Sequence, residues 1–228
     1  MVKPSIIAID GPSASGKSSV GHLLAKRLGY RFLDTGAMYR ALAWLALQRH
    51  ISLEDEEALA NLAAKTKIEL SPPTVTDGRL YSVFVDGQDV TWQIREPAVD
   101  STVSLVAKHP KVREAMVEKQ RRMAKDSNIV VEGRDIGTVV FPQADLKVYL
   151  MASAVERGHR RYRQLGERGE PVEYEAIMRD LRRRDDIDSQ REASPLRPAE
   201  DARIVPTDKL DVEGVVDEIM RLVEESSS

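Results

Sequence analysis

The sequence predicts an α/β fold in which helices flank a parallel β-sheet, with a small antiparallel β insertion and a helical lid. Short apolar segments alternate with longer helical patterns, as they do where each strand of a parallel sheet is followed by a helix. The segments are apolar throughout, which is typical of strands buried on both faces. Residues 66–91 differ, because a segment of alternating polar and apolar residues and several turn signals replace this pattern there.

The strands are predicted from apolar or β-branched runs bounded by turn residues. Within the insertion, Asp77 with Gly78 and Asp86 with Gly87 are typical turn pairs. The predicted strands are residues 6–9, 30–33, 67–70, 80–85, 128–132, 146–150 and 202–205.

The helices are predicted from apolar residues at helical spacing between start and stop signals. Gly29 is a stop signal after the first helix, and Ser52 followed by acidic residues is typical of an N-cap. Pro110 suits the first turn of a helix, and Ser153 is predicted to cap a basic helix. We expect a flexible break at residues 166–169 and a disordered tail at residues 226–228. The predicted helices are residues 18–28, 37–48, 52–65, 93–108, 110–125, 154–165, 173–190 and 211–225.

Composition limits the class of protein. The 228 residues allow one domain with insertions or two small domains, and a hydrophobic content of 42% can form a sizeable core. The absence of cysteine excludes disulfides, thiol catalysis and cysteine-based zinc sites, and it permits a reducing, cytoplasmic location. No apolar stretch is long enough for a signal peptide or a membrane span. The net charge of −3 and the aromatic content of 5% argue against a general nucleic-acid-binding protein.

The residues between the first strand and the first helix match a phosphate-binding P-loop. Gly11, Gly16, Lys17 and Ser18 occupy every fixed position of Gly-x-x-x-x-Gly-Lys-Ser. The glycines allow a tight turn, and its backbone N–H groups and the following helix N-terminus attract phosphate. Lys17 can bridge β- and γ-phosphates, and Ser18 can offer its hydroxyl to Mg²⁺. The motif favours a P-loop NTPase fold that binds a nucleoside triphosphate over an ordinary glycine-rich turn.

Two further clusters follow predicted strands, at the sheet edge where parallel α/β proteins bind ligands. Thr35 and Tyr39 share a helix face, with Arg40 beside them. They could bind a second phosphorylated substrate, or they could be a helix cap and a half-buried tyrosine. Arg134 could grip a phosphate and Asp135 could accept from an amino group or a sugar hydroxyl, or the two could form a turn held by a local ion pair. Their position at a strand end favours a functional role.

Arginine is distributed unevenly, with ten arginines and no lysine in residues 157–191. Its planar guanidinium suits bidentate contacts with phosphate. Arg157, Arg160 and Arg161 share one helix face beside the predicted glycine break. This face could close over transferring phosphates as a mobile lid, or it could be a solvated charged face. We favour the lid, because like charges at this spacing repel.

A second helix face carries Arg184, Asp188 and Arg191 at spacings of four and three residues. Here the simpler explanation is a surface ion pair between Arg184 and Asp188, worth under about 1 kcal/mol. The four histidines have no metal-ligand spacing. Trp44 and Trp92 are expected in the core rather than as platforms for a nucleobase.

Taken together, these motifs resemble those of the bacterial-type cytidylate kinases, in the adenylate-kinase-like group of nucleoside monophosphate kinases. The resemblance extends nearly from end to end, and Gly-Arg-Asp-Ile-Gly-Thr-Val-Val-Phe-Pro is its most specific block. Thr35 stands where a serine is expected, and Pro206 with Thr207 stands where an Asp-Ser/Thr turn is expected. The matching segments are the loop at residues 9–18, residues 33–40, Val112 with Arg113, residues 133–142 and residues 184–188.

The resemblance implies an enzyme that transfers the γ-phosphate of ATP to CMP or dCMP, giving ADP and CDP or dCDP in pyrimidine nucleotide metabolism. The implied partners are ATP with Mg²⁺ and the pyrimidine monophosphate, without nucleic acid or membrane, and a monomer is expected. One P-loop kinase domain is implied. Its core is residues 1–34, 126–156 and 170–228, its monophosphate-binding region is residues 35–125 with the insertion at 66–91, and its lid is residues 157–169.

The resemblance also implies roles for individual residues. Since the attacking group is already a phosphate oxygen, no strong general base is needed, and catalysis is alignment plus charge neutralisation. The implied catalytic residues are Lys17, Arg134, Arg157 and Arg161. The implied ATP-binding residues are Gly11, Pro12, Ser13, Ala14, Ser15, Gly16, Lys17, Ser18, Ser19 and Arg157, with Ser18 contacting Mg²⁺ through the bound nucleotide. The implied CMP-binding residues are Thr35, Tyr39, Arg40, Arg113, Arg134, Asp135, Arg184, Asp188 and Arg191.

The residues alone leave other classes of protein open. Another small P-loop kinase could act on UMP, AMP or a non-nucleotide alcohol. A GTPase switch would need a guanine-reading Asn-Lys-x-Asp motif, but Asn61 and Asn128 are followed by Leu and Ile. An ATP-binding nucleic-acid protein is disfavoured by the acidic balance and the few aromatic residues.

Overall fold

The structure, a computed structural model, describes residues 3–125, 127–167, 169 and 173–226. Arg168 of the predicted glycine break and the last two residues of the predicted tail lie outside these ranges. The chain divides into two compact units. The first unit is Met1–Phe32 with Asp126–Ser228, and the second unit is Leu33–Lys125.

Strands and helices alternate along the chain, with one antiparallel segment in the second unit. Two short turns of other geometry are a 3₁₀ turn at Gln93–Arg95 and a π-helical turn at Ile136–Val140. No helix of the described residues is both long and apolar enough to cross a bilayer. The strands are β1 (Ile6–Asp10), β2 (Arg31–Asp34), β3 (Ile68–Ser71), β4 (Ser82–Val85), β5 (Gln88–Asp89), β6 (Ile129–Gly133), β7 (Leu146–Met151) and β8 (Arg203–Pro206). The helices are α1 (Lys17–Leu28), α2 (Thr35–Gln48), α3 (Glu56–Lys65), α4 (Pro97–Ala107), α5 (Pro110–Ala124), α6 (Ala154–Glu167), α7 (Tyr174–Gln190) and α8 (Val212–Ser226).

The main sheet has the strand order β2-β6-β1-β7-β8. Strand β1 pairs in parallel with both β6 and β7, and β7 pairs in parallel with β8. The predicted α/β fold is therefore confirmed. The register places Asp10, the last residue of β1, opposite Gly133 on one side and Tyr149 on the other. The carboxyl ends of the central strands therefore lie side by side, and the loops that follow them share one edge of the sheet.

The core of the first unit lies between the sheet and helices α1 and α8. Ile7 and Ile9 of β1 are fully buried and belong to one cluster with Leu24 of α1 and Ile219 of α8. Burial of one such side chain contributes about 1.5–3 kcal/mol, so this cluster is a major source of stability. It anchors β1 in the core up to the start of the phosphate-binding loop.

The second unit combines helices α2–α5 with a small sheet of strand order β3-β4-β5. Helix α2 is rich in Ala and Leu, and most of it is buried. Strands β3 and β4 pair antiparallel, with Ile68 opposite Val85 and Leu70 opposite Val83. The predicted antiparallel insertion is confirmed. The turn predicted at Asp86 leads into the short strand β5, which was not predicted.

Two predicted helices begin or break at other residues. The helix predicted at residues 93–108 is wrong as one element, because Glu96 is extended (φ −63°, ψ 147°) and separates the 3₁₀ turn from α4. A residue before proline avoids the helical region, and Pro97 follows Glu96. The helix predicted from Ser52 begins at Glu56. Its N-cap is Asp55, whose carboxylate accepts a hydrogen bond from Ala58 N at 3.0 Å.

Three smaller expectations were also wrong. Helix α6 continues through Gly166 to Glu167, where a flexible break was predicted. Helix α8 includes Ser226, which was assigned to the tail. Trp44 is buried as expected, but Trp92 is 43% exposed. The indole Nε1 of Trp92 donates to Asp77 at 2.8 Å, so this side chain ties the insertion together at its surface.

Candidate active site

The loop between β1 and α1 has the backbone that its glycines require. Gly16 has a φ of 97°, which lies in the left-handed region that favours glycine. A Cβ on Gly11 would lie 2.5 Å from the carbonyl oxygen of Leu150, so no other residue fits without displacing β7. The loop is therefore held tightly against the sheet edge, with the N-terminus of α1 directly after it.

Lys17 and Ser18 begin α1 at the loop. The ammonium of Lys17 is buried and donates to Pro12 O at 2.7 Å. Its positive charge therefore lies inside the loop, where it can contact a phosphate. Ser18 is half-buried in the first turn of the helix. Mg²⁺ usually keeps several waters and takes one or two protein oxygens plus substrate phosphates. A single hydroxyl beside a phosphate loop fits that requirement.

Arg157 of α6 contacts the loop directly. Its guanidinium donates to Ser13 O at 3.2 Å and makes two hydrogen bonds to the carboxylate of Asp185, at 3.1 and 2.7 Å. The side chain is only 8% exposed. The alternative of a solvated charged face is therefore wrong for Arg157, which has a fixed position against the phosphate-binding loop.

Arg160 makes a second set of contacts with the same loop. It donates to Ser15 O at 3.2 Å and to the carbonyl oxygen of Thr207 at 2.6 Å. Thr207 follows β8 and is buried, so it joins α6 to the loop through Arg160. Arg161, which was predicted as a lid residue, instead donates to Gln164 of its own helix at 2.7 Å. Arg160 was predicted on the lid face but was not assigned a binding or catalytic role.

The turn after β6 is held by ion pairs with α7. Arg134 Nε lies 3.0 Å from Asp188 Oδ2, and Asp135 lies 3.8 Å from Arg191. Both partners are distant in the sequence, Asp188 in α7 and Arg191 directly after it, so the turn is held by more than a local ion pair. The structure therefore brings four of the predicted CMP-binding residues together.

Helix α7 turns its charged face inward. Arg184 and Asp188 are 6% and 5% exposed, so they are not a surface ion pair. A buried charge is costly unless it is paired and hydrogen-bonded, and Asp188 meets this condition through Arg134. Burial of so many charges at one edge of the sheet is typical of a site built for a charged or polar ligand.

Asp10 is a buried carboxylate at the end of β1 that was not predicted as a site residue. Its two oxygens accept hydrogen bonds from Ile136 N and Gly137 N, each at 2.8 Å. Burial raises the pKa of Asp10 to about 6, against the opposing effects of these hydrogen bonds and of the nearby Lys17. The sequence did hold a signal for this residue, because an acidic side chain stands at the end of an apolar strand, directly before the loop.

In the second unit, Tyr39 and Arg113 lie together. The Arg113 guanidinium carbon is 5.4 Å from the centre of the Tyr39 ring, a cation–π contact, and both residues are buried. Arg113 also donates to Ala107 O at 3.2 Å. Thr35 is buried in the first turn of α2, where Asp34 caps the helix by accepting from Ala37 N at 2.9 Å. A phenol and a guanidinium in contact are suited to binding the same phosphate group.

Arg40 has a different environment. It forms an ion pair with Asp100 of α4 and donates to Ile94 O at 3.3 Å. These partners neutralise its charge and link α2 to α4. Arg40 therefore has a clear role in packing the helices.

Comparison with known proteins identifies the family. The family model described as "Cytidylate kinase" matches residues 7–225. The chain belongs to the cytidylate kinase family. It is similar to the cytidylate kinase of Geobacillus sp. (strain WCH70), with 52% identity over 219 residues and 96% of each chain covered. It is also similar to the cytidylate kinase of Bacillus subtilis (strain 168), with 47% identity over 227 residues and 100% of each chain covered.

A solved structure of an uncharacterized protein from Eubacterium ventriosum ATCC 27560 has a TM-score of 0.50 at 12% identity, covering 96% of this chain and 98% of that one. At this identity the likeness concerns the fold alone. For this member of the cytidylate kinase family, sequence reasoning assigned no binding or catalytic role to Asp10, Arg160 or Asp185. Arg160 shares a helix face with Arg157, so its spacing was a usable signal. Asp185 lay in the matching segment at residues 184–188, but its pairing with Arg157 depends on how α6 packs on α7.

Proposed function

We propose that this protein is a cytidylate kinase that transfers the γ-phosphate of ATP to CMP or dCMP. The observation that carries the proposal is the pairing of Arg134 with Asp188 in the unit that holds the phosphate-binding loop. A phosphate-gripping arginine and an acid that can accept from an amino group make a second ligand site beside a triphosphate site. Family membership and the two named relatives support cytidylate as that ligand.

The donor half of the proposed site is built on the loop and α6. The backbone N–H groups of residue 11 and residues 13–19 would hold the phosphates of ATP, and Lys17 would neutralise charge on the β- and γ-phosphates. Ser18 would hold Mg²⁺ through the nucleotide, and the metal would supply further positive charge at these phosphates. Arg157, with Arg161, is proposed to act on the transferring phosphate. Arg160 holds the loop in shape.

The residues proposed to bind CMP are given for each unit by itself. In the second unit, Tyr39 and Arg113 would hold the phosphate of CMP, with Thr35 and Arg40 in the same binding set. In the first unit, Arg134 would contact the phosphate. Carboxylates accept from the amino group of cytosine, and guanidiniums donate to its carbonyl oxygen, so the buried charges after β6 and on α7 suit the base and sugar. These base- and sugar-directed residues are Asp135, Arg184 and Asp188, with Arg191 in the same binding set.

The reaction follows from these parts. An oxygen of the CMP phosphate attacks the γ-phosphorus of ATP, the bond to the β-phosphate oxygen breaks, and ADP leaves. Because the attacking oxygen already carries negative charge, the protein needs to align the two phosphates and neutralise their repulsion. A lid at residues 157–169 would exclude water, which would otherwise accept the phosphoryl group. The division into core, monophosphate-binding region and lid, a monomeric state and a cytoplasmic location are part of this proposal.

A panel of acceptors tests the assignment. ATP consumption is measured by a coupled assay with CMP, dCMP, UMP, AMP and a non-nucleotide alcohol as acceptors. We expect the highest kcat/KM with CMP or dCMP. Turnover of ATP that is independent of any monophosphate would contradict a kinase function, and preference for AMP would assign a different acceptor.

Lys17→Ala tests the donor site. We expect kcat to fall by about 10²-fold or more, because one preorganised cation at the transferring phosphate is lost. Lys147→Ala is the matched control, since the ammonium of Lys147 also donates to a proline carbonyl five residues earlier, Pro142 O, at 2.7 Å. The control should keep near-normal kcat. Near-normal turnover by Lys17→Ala would refute the assignment of this loop.

A further inference from the structure

Asp10 joins two segments that bind different substrates in the proposed reaction. It is the last residue of β1 and directly precedes Gly11, the first residue of the phosphate-binding loop. Its carboxylate is 3% exposed and accepts from Ile136 N and Gly137 N, at 2.8 Å each. These N–H groups begin the π-helical turn that follows Arg134 and Asp135 directly.

The charges around Asp10 show that this position is costly. Asp135 lies close enough to raise the pKa of Asp10 through like-charge repulsion, and Lys17 opposes this effect. Tyr149 of β7 is also within electrostatic range of Asp10. Burial of one acid beside another is unfavourable unless hydrogen bonds compensate for it. The two backbone hydrogen bonds provide part of that compensation, and they fix the start of the π-helical turn.

The other end of β1 shows what a purely structural contact of this kind looks like. The carboxylate of Asp145 accepts from Ser5 N and Ile6 N, at 2.9 Å each. Asp145 thus also accepts from two successive N–H groups, but it is exposed and lies at the amino end of the strand. A carboxylate at each end of β1 therefore accepts from two successive backbone N–H groups, Asp10 with both of its oxygens beside the site and Asp145 with one oxygen away from it.

We infer that Asp10 is a positioning residue that sets the turn of Arg134 and Asp135 relative to the ATP-binding loop. The inference rests on the proposed function, in which this turn binds the acceptor. Asp10 accepts hydrogen bonds from the two residues that directly follow Arg134 and Asp135, and it is joined covalently to the ATP-binding loop. It therefore fixes the distance between the protein groups that bind the phosphates of the two substrates. Loosening this contact should weaken the binding of CMP more than the binding of ATP.

Asp10→Asn and Asp145→Asn form the test pair. In Asp10→Asn, one oxygen is replaced by an NH₂ group that cannot accept from a backbone N–H. We expect KM for CMP to rise about tenfold or more, equivalent to about 1.4 kcal/mol. We expect the Kd of a nonhydrolysable ATP analogue with Mg²⁺, measured by calorimetry without CMP, to change less than about threefold. Asp145→Asn should leave both constants within about twofold of wild type.

Asp10→Glu provides a second variant, since it keeps the charge and both acceptor oxygens but displaces the turn. It should show the same selective rise in KM for CMP. Equal weakening of CMP and of the ATP analogue, or unchanged constants in both variants, would overturn the inference. Failure of both variants to fold would assign Asp10 to the fold alone and would also overturn it. Wild-type activity with CMP tests the proposed function separately, so the two failures are distinguishable.

Discussion

The buried carboxylate of Asp10 should make the stability of the first unit depend on pH. Its pKa is raised from 3.8 to about 6, chiefly by burial. The folded chain therefore holds this proton at pH values where the unfolded chain has released it. Below pH 3.8 the group imposes no penalty, and as pH rises through 6 the folded state loses stability. The full difference is about 3 kcal/mol, at about 1.4 kcal/mol for each unit of pKa.

Asp10→Asn isolates this effect, because the amide does not titrate. Between pH 5 and pH 7.5, linkage predicts that wild type loses about 1.4 kcal/mol of stability relative to Asp10→Asn. The other titrating groups are common to the two proteins, so the contributions of all those that do not interact with Asp10 cancel in the difference. The variant also loses one hydrogen-bond acceptor, which shifts its stability by a constant amount that is independent of pH.

The assay is urea unfolding of both proteins, followed by far-UV circular dichroism at intervals between pH 5 and pH 7.5. The difference in the free energy of unfolding, wild type minus variant, should decrease as pH rises, with its steepest change below pH 6. A difference that stays constant across this range would refute a raised pKa at Asp10. A difference that increases with pH would mean that the carboxylate is stabilised in its charged form by the fold.

Two other substitutions test the packing of α6 and the selection of the acceptor. Gly158→Ala should lower the free energy of unfolding by about 1–3 kcal/mol and weaken ATP binding, because its Cβ would collide with Met178 Sδ of α7. Gly166→Ala in the same helix meets nothing within 4 Å and should be neutral or stabilising by up to about 1 kcal/mol, which urea unfolding would verify. Asp188→Ala should reduce kcat/KM for CMP more than for UMP, whereas equal losses would mean that Asp188 acts only by holding Arg134 in place.

The phosphate-binding loop could be predicted from the sequence because its conformation depends on interactions between residues that are close in the chain. Gly11, Gly16 and Lys17 are required by turns and contacts within a few residues, so a short pattern is sufficient to predict them. The neighbouring strand ends were predictable for a related reason. Parallel strands place their carboxyl ends at one edge, so Arg134 was expected near the loop once the strands were assigned.

The charged face of α7 could not be interpreted in the same way. Asp188 is bonded to Arg134, 54 residues away. Its burial is decided by tertiary packing, whereas a helix with this many charges looks solvent-exposed from its sequence. The same reasoning explains Trp92, whose aromatic ring suggested the core but whose partner Asp77 holds it at the surface. The break before Pro97, by contrast, had a local cause and could have been predicted.

The contacts of α6 have a consequence for the direction of the peptide dipoles in the phosphate-binding loop. Arg157 and Arg160 hold the carbonyl oxygens of Ser13 and Ser15. In a trans peptide the N–H points away from the carbonyl, so each arginine that draws an oxygen outward turns the next N–H to the opposite side. The two arginines are three residues apart, about 4.5 Å along the helix. Helix α6 therefore helps to set the direction of the N–H groups in the loop. Transplanting the loop to another scaffold would require transplanting α6 with it.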